Sequence, residues 1–261
     1  MDKIWRKGYG LEYPVSSPIM RVRVQPYATN TRESWHAHEA AQLLYCTTGV
    51  LRVLTPEASW TLGPYRAIWI APDIAHEFHA LGHTHTFSLY LDPHTARQFG
   101  PVCRSMKVSI LQHELILSLQ QALECTPSNA ARFALIAPLL LDEFKNPPPS
   151  SVCSLPLPTD RRLRNICELM LVAPDNNATL EAWGTQVGAS SRTLARLFRD
   201  QTGMTFAKWR QQLRLAEAVS QLAQGSNVIK IAEQLGYQSP SAFISMFKKS
   251  LGETPQRYLR N

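Results

Sequence analysis

Apolar residues between positions 20 and 91 recur with a period of two, which is typical of short β-strands that bury one face. Phe87, Leu89 and Leu91, for example, alternate with Thr86, Ser88 and Tyr90. Gly49 and Pro72 separate neighbouring runs. The pattern predicts an antiparallel sandwich or small barrel. Its expected strands lie at residues 21–24, 42–45, 51–54, 67–70 and 84–91.

The spacing then changes to the helical period of 3.6 residues in two segments, 109–124 and 130–144. Pro138 lies inside the second segment and predicts a kink there. Both helices are expected beside the sheet, and their apolar faces fit either core packing or a dimer interface. These faces consist of Leu115, Leu119 and Ala122 in the first helix and Phe133, Ile136, Leu140 and Phe144 in the second.

The C-terminal part of the chain contains one helix–turn–helix pattern twice. Gly188 and Gly236 are 48 residues apart, and Leu194 and Phe243 are 49 residues apart. An internal repeat of this kind indicates a duplicated structural unit. Two such units on one rigid body would present two helices to neighbouring major grooves of duplex DNA.

Capping residues stand before the predicted helices of the repeat. Thr179 and Ser190 precede helices that end at Val187 and Gln201, with Gly188 in the turn between them. A helix that begins at Asp160 or Thr159 comes first. The remaining predicted helices cover residues 205–224, 228–235 and 239–251.

Positive charge is concentrated in the repeated half. The formal net charge is +7, and residues 151–261 hold 14 Lys and Arg against 8 Asp and Glu, whereas the first 150 hold 13 against 12. This bias favours a polyanionic partner, namely double-stranded DNA. The five cysteines are unclustered, and neither an apolar leader nor a membrane-spanning run is visible. We therefore expect a reduced, cytoplasmic protein without membrane association.

The first repeat predicts a helix that reads bases. Leu194 and Phe198 face inward, so that Arg192, Arg196 and Arg199 point away from the core. An arginine can donate two hydrogen bonds to guanine, which contributes ~1–3 kcal/mol of discrimination. Arg192 and Arg196 are one turn apart and can reach neighbouring bases.

The second repeat predicts a helix with a different surface. Ser241, Ala242 and Ser245 are small and suit contacts with the DNA backbone and with thymine methyl groups. Lys248 and Lys249 are placed to meet phosphates.

Both repeats resemble AraC/XylS-type transcription regulators. Residues 190–198 (SSRTLARLF) with Gly203 and Thr205 are similar to the first motif of that family. Residues 231–237 (IAEQLGY), 239–243 (SPSAF) and 252–258 (GETPQRY) are similar to its second motif and C-terminal signature. The resemblance implies a bacterial protein with a seven-helix DNA-binding domain that binds promoter or operator DNA. It implies base contacts near Arg192, Thr193, Ala195 and Arg196, and near Ser241, Ala242 and Ser245.

Residues 30–91 resemble, more weakly, the cupin-like sensor domain of many such regulators. The matching positions include His36, His38, Gln42 and His76. In metal-binding cupins two histidines, a carboxylate and a later histidine hold a divalent metal, and here Gln42 stands where the carboxylate is expected. On a strand His36 and His38 would point the same way. Imidazoles can hold nickel, zinc or copper even without a carboxylate.

Two other interpretations of this half stay open. One is a pocket for a small-molecule effector without metal, and the other is a domain that serves only for dimerisation. The pocket would be lined by Trp35, Tyr45 and Trp69 together with the histidines.

The sequence as a whole predicts a two-domain α+β protein. Residues 1–145 form an antiparallel β cupin-like barrel with two flanking helices, for effector sensing and dimerisation. Residues 146–158, with five prolines, form a linker. Residues 159–261 form an all-α domain with two helix–turn–helix motifs.

The predicted function is sequence-specific transcriptional regulation. The partners are DNA, a small-molecule or metal effector, a second copy of the chain and, for an activator, RNA polymerase. The alternatives are a metal-dependent cupin-type enzyme and a constitutive DNA binder.

Overall fold

The computed structural model describes residues 11–13, 20–123, 128–145 and 154–258. The chain divides into two compact units. The first contains the residues up to Leu51 and from Leu62 to Val152, and the second contains Arg52–Thr61 and the chain from Cys153 onward. Residues 52–61, which the sequence assigned to the first domain, thus group with the second unit.

The strands are short and antiparallel, as the period of two predicts. The bounds are β1 Leu11–Tyr13, β2 Met20–Tyr27, β3 Arg32–His36, β4 Ala41–Thr48, β5 Leu51–Leu54, β6 Ala58–Leu62, β7 Arg66–Ile70, β8 His76–Ala80, β9 Thr84–Leu91, β10 Arg104–Lys107 and β11 Ser154–Pro156. A six-stranded sheet in the first unit has the order β1-β2-β9-β4-β7-β10.

Several strands were not predicted, because their side chains do not show the apolar alternation of a strand. β3 is largely polar, with three of its five residues exposed. β8 alternates regularly, but its buried positions include His76, which carries no hydrophobic signal. These two strands pair with each other, and His36 lies opposite His76. Since β3 ends at His36, the expectation that His36 and His38 share a strand is wrong.

Two helices, α2 (Ile110–Leu123) and α3 (Ser128–Lys145), follow a short turn of helix, α1 (Pro93–Ala96), and a 3₁₀ turn at Arg97–Phe99. Their inward faces join the apolar face of the six-stranded sheet in one core. The burial of Leu119, Phe133 and Leu140 confirms core packing for these faces. The helix α3 continues through Pro138, whose side chain is exposed.

The second unit begins, in its described part, with β11. Leu155 pairs with Ser59 of β6 in an antiparallel ladder, so the end of the predicted linker is a strand. The rest of that linker, residues 146–153, lies outside the described residues. Trp209 Nε1 donates to the carbonyl of Pro156 at 2.8 Å, and Arg52 forms an ion pair with Glu217 at 3.3 Å.

Residues 154–258 contain seven helices, which agrees with the number that the family resemblance implies. Each long helix begins at a polar side chain that accepts a hydrogen bond from its first turn, including Thr179 and Ser190 as predicted. The bounds are α4 Arg161–Val172, α5 Leu180–Val187, α6 Ser191–Thr202, α7 Phe206–Ala223, α8 Val228–Gln234, α9 Pro240–Leu251 and α10 Pro255–Tyr258.

The aromatic residues of the repeat form the core of this unit. Phe198 and Trp209 have ring centroids 6.2 Å apart, and Phe243 and Phe247 are 5.7 Å apart. All four side chains are fully buried, so the inward faces predicted from the sequence are confirmed. Within the described residues, no helix combines the length and apolarity needed to cross a membrane.

Candidate DNA-reading surface and histidine cluster

The two helix–turn–helix motifs, α5–α6 and α8–α9, each contain the same backbone hydrogen bond, which fixes the turn of that motif. Ala189 N–H donates to Gly184 O at 2.9 Å, and 48 residues later Tyr237 N–H donates to Ala232 O at 2.8 Å. In the first helix–turn–helix motif, a Cβ on Gly184 would lie 2.4 Å from Ala189 O. The first turn therefore requires glycine at this position.

The outer face of α6 carries the predicted reading residues. Arg192, Arg196 and Arg199 are exposed, and Thr193 and Ala195 are half-buried. Arg196 forms an ion pair with an acid one turn away, Asp200, at 3.4 Å, and both side chains are solvent-exposed. Such pairs contribute about 0.3–0.5 kcal/mol. Arg196 can therefore exchange this partner for a base at little cost.

The outer face of α9 also agrees with the prediction. Phe243 and Phe247 are buried on its inner side. The outward residues are Ser241, Ala242, Ser245, Lys248 and Lys249, all exposed. This helix can therefore approach DNA closely with small side chains, and its two cations lie in its last turn.

The connecting helix α7, expected from the sequence as a stiff connector between the two motifs, makes two contacts that no sequence pattern indicated. Arg214 donates to Asn177 Oδ1 at 2.5 Å, and Arg210 donates to Ala178 O at 3.3 Å. Both acceptors belong to the loop before α5. A Cβ on Gly236, in the turn of the second motif, would lie 3.7 Å from Asn177 Nδ2. Asn177 thus lies between α7 and the second turn. The pKa of Arg210 is lowered, mainly because the side chain is partly buried and to a smaller extent because the positive charge of Arg214 is close to it.

In the first unit the structure brings His36, His38 and His76 together. One ring nitrogen of each lies within 4.8 Å of the others. Their Nδ1 atoms are 2.8, 2.6 and 2.7 Å from the carbonyl oxygens of Ser34, Ala40 and Ile74, respectively. Each Nδ1 donates its proton in these hydrogen bonds, so in the neutral form of the ring Nε2 carries the lone pair.

Burial disfavours the charged form of two of these histidines. It lowers the pKa of His76 to about 4 and also lowers the pKa of His38. His76 Nε2 is buried and has no hydrogen-bond partner among the described residues. The cluster is therefore a set of nitrogen atoms that can accept hydrogen bonds or donate a lone pair to a metal.

Gln42, which is 1% exposed, extends this set. Its amide nitrogen donates to Ser88 Oγ at 2.9 Å and to Tyr90 OH at 3.1 Å. These bonds aim Oε1 at His38 Nε2, 3.3 Å away. Gln42 Oε1 is thus within hydrogen-bond distance of His38 Nε2 and lies next to the cluster. No local pattern indicates Ser88 and Tyr90 as partners, because they are more than 45 positions from Gln42.

The aromatic residues predicted for an effector pocket do not join the histidines. Tyr45 and Trp69 lie in the core shared with α2 and α3. Tyr45 OH is 2.8 Å from His113 Nδ1, and Trp69 Nε1 donates to Gly100 O at 3.2 Å. Trp35 lies on the surface and is 47% exposed. The predicted metal residues converge, whereas the predicted aromatic lining does not.

The two motifs define a DNA-binding protein with a pair of outward-facing helices. Comparison with known proteins agrees: residues 18–141 match the AraC-like ligand binding domain, and residues 183–261 match a helix-turn-helix domain. The HTH-type transcriptional regulator NimR of Escherichia coli is 34% identical over 224 residues, which are 86% of this chain and 81% of NimR.

Two further proteins show more distant similarity. The arabinose operon regulatory protein of Escherichia coli is 28% identical over 107 residues, which are 40% of this chain and 37% of that protein. Among solved structures, fatty-acid-bound ToxT of Vibrio cholerae covers 93% of this chain and 95% of its own, with 12% identity and a TM-score of 0.38. The similarity to NimR and the two domain matches identify the chain as a member of the AraC family of DNA-binding transcriptional regulators with an N-terminal ligand-binding domain.

Proposed function

We propose that this regulator senses a divalent transition metal through His36, His38 and His76, with Gln42 as a further donor. The observation that carries the proposal is the convergence of three ring nitrogens, each within 4.8 Å of the others. Metal-binding histidines commonly donate their second ring N–H to a backbone carbonyl, which fixes the tautomer and the ring orientation. All three histidines have such a carbonyl partner.

The donor chemistry supports nickel, zinc or copper over magnesium or calcium. Imidazole nitrogens suit the transition metals, whereas magnesium and calcium prefer carboxylate and carbonyl oxygens. A bound cation could take His38 Nε2 and Gln42 Oε1, which are 3.3 Å apart, as neighbouring ligands. It would also give the buried Nε2 of His76 a partner. Occupancy of this site would shift the population of a state with different operator affinity.

For the second unit we propose distinct roles along the two outward-facing helices. Arg192 and Arg196 contact guanine edges, supported by Thr193 and Ala195, and Arg199 contacts phosphate. On α9, the small surface permits close approach to DNA. Ser241, Ala242 and Ser245 contact the backbone and thymine methyl groups, and Lys248 and Lys249 contact phosphates.

We further propose that the protein is a homodimer and not an enzyme. Within the described parts of α2 and α3, four large apolar side chains are exposed to solvent. Exposed apolar side chains that gather on one face of a protein mark an interaction surface. If the protein is an activator, RNA polymerase is the further partner. The four residues are Ile110 (77% exposed), Leu111 (50%), Leu135 (76%) and Leu139 (47%).

The test of the sensing role uses the full chain and promoter DNA from its own locus. Fluorescence anisotropy measures the dissociation constant with chelator and with added Ni²⁺, Zn²⁺ or Cu²⁺. One of these metals should change the constant at least fivefold. The double variant His36→Ala/His38→Ala should lose that response and keep the metal-free affinity. His83→Ala, which removes an exposed histidine outside the cluster, serves as the control. An unchanged response in the double variant contradicts the proposal.

A further inference from the structure

The histidine cluster lacks a negatively charged donor. Its nitrogen ligands are neutral imidazoles, and Gln42 contributes a neutral amide oxygen. Among the described residues, no Asp or Glu belongs to the group of side chains that could hold a metal. A divalent cation bound there would therefore keep its full charge of +2.

The nearest carboxylate on the same strand is already engaged. Glu33 Oε1 accepts a hydrogen bond from Tyr27 OH at 2.8 Å and lies 3.7 Å from Arg23 Nη2. This acid therefore balances the guanidinium of Arg23.

A double charge without an anionic ligand bound directly to it is costly in this position. His76 is fully buried and Gln42 is 1% exposed, so the inner side of the cluster is shielded from water. Burying a charge costs much free energy unless an opposite charge accompanies it. His36 and His38, in contrast, are only half-buried. A further ligand can therefore approach from the side of these two residues.

From this arrangement we infer that the metal-loaded cluster is a receptor for a small anion, and that this anion is the effector. The inference rests on the metal site proposed above and adds the ligand class. The effector carries a carboxylate, phenolate or thiolate group that binds the metal directly and neutralises its charge. Metal and small molecule then act together, and neither alone produces the regulatory state.

The experiment uses full-length protein loaded with Co²⁺, whose visible absorption reports the ligands of the metal. Azide is the anionic probe and imidazole is the neutral probe. Azide should change the spectrum at a concentration at least tenfold lower than imidazole. Equal potency of the two probes, or no effect of azide, overturns the inference.

A matched pair of variants tests the role of charge directly. Gln42→Glu places a carboxylate beside the histidines, and it should bind Co²⁺ more tightly and azide at least tenfold more weakly. Gln98→Glu adds the same charge at an exposed position and should behave as wild type. Unchanged azide affinity in folded Gln42→Glu contradicts the inference. Should circular dichroism show that this variant is unfolded, the comparison of azide with imidazole on wild-type protein decides.

Failure of the metal site and failure of the anion site give different results. Without the site, wild-type protein and His36→Ala/His38→Ala show the same Co²⁺ spectrum, and both proposals fail. If Co²⁺ binds at the histidines but azide has no effect, only the anion proposal fails.

Discussion

Arg214 on the connecting helix donates a hydrogen bond of 2.5 Å to Asn177 Oδ1, in the loop that leads into the first helix–turn–helix. The same loop residue lies beside Gly236, in the turn of the second motif. The pair therefore ties the entry of one motif to the turn of the other.

We predict that Arg214→Ala weakens this coupling between the two reading helices. Wild-type protein should bind an operator at least tenfold more weakly when one base pair is inserted between its two half-sites. The variant should show a penalty of threefold or less, because its motifs can adjust to the new spacing. Binding titrations on the two duplexes measure this ratio. Lys208→Ala, at an exposed position of the same helix, serves as the control and should keep the wild-type penalty. A wild-type penalty in Arg214→Ala as well would show that the bond from Arg214 to Asn177 does not couple the two motifs.

Arg196 and Lys249 should differ in how they affect DNA binding. Arg196→Ala should lose about 1–3 kcal/mol of discrimination for the operator, because a bidentate contact with guanine disappears. Lys249→Ala should weaken binding to operator and random duplex equally, and should reduce the slope of log K against log salt by about 1. Salt titrations on both duplexes provide the data. If Arg196→Ala lost the same binding free energy on both duplexes, this residue would contact phosphate and not a base.

Gly184 should tolerate no side chain. Gly184→Ala places a Cβ against Ala189 O, and we expect the second unit to lose about 1–3 kcal/mol of unfolding free energy through overpacking. The reciprocal change, Ala232→Gly, removes a methyl group at the equivalent position and should cost about 1 kcal/mol through helix propensity. Denaturant titration of both variants checks the order. A larger loss for Ala232→Gly would show that the first turn is not tight.

The buried thiols should be unreactive. Burial raises the pKa of Cys46 to about 12 and raises the pKa of Cys167 as well. Because the folded state holds the Cys46 thiol protonated, its contribution to stability is complete below about pH 8.5 and is lost as the pH rises towards 12. At pH 8, iodoacetamide should modify the partly exposed Cys103 and spare Cys46 and Cys167. Mass spectrometry locates the modification, and rapid labelling of Cys46 in native protein would contradict its burial.

The exposed apolar face of α2 and α3 should control the oligomeric state. Leu135→Asp places a charge in the proposed interface and should raise the dimer dissociation constant at least tenfold in sedimentation equilibrium. Val172→Asp changes an apolar residue that is 86% exposed on α4 and should leave this constant unchanged. If the dimer survives Leu135→Asp, its interface is formed by another surface.

Local signals made the second unit predictable. Thr179 and Ser190 each form their cap with the residue three positions further along the chain. Leu194 and Phe198 share one helical face, so their burial follows from the period alone. The hydrogen bond from Arg214 to Asn177 joins residues 37 positions apart, and no local pattern indicates it.

The first unit was harder to predict because its faces are assigned by distant contacts. Because side chains alternate along a strand, Gln42 and Tyr45 of β4 must lie on opposite faces of the sheet. The sequence does not indicate which of these faces α2 and α3 cover. The structure places Tyr45 in the core beneath α2 and α3, whereas Gln42 faces His38. The metal residues were found through a family resemblance, which carries such long-range information.

The central claim is that α6 and α9 read two successive stretches of one duplex. Hydroxyl-radical footprinting of the full chain on the promoter of its own locus tests this most directly. We expect two protected segments on one face of the duplex, about 10 base pairs apart, as for two half-sites one helical turn apart. Arg192→Ala/Arg196→Ala should remove one segment and leave the other. No protection above random competitor DNA, or a single segment that both arginine changes leave intact, would contradict the claim.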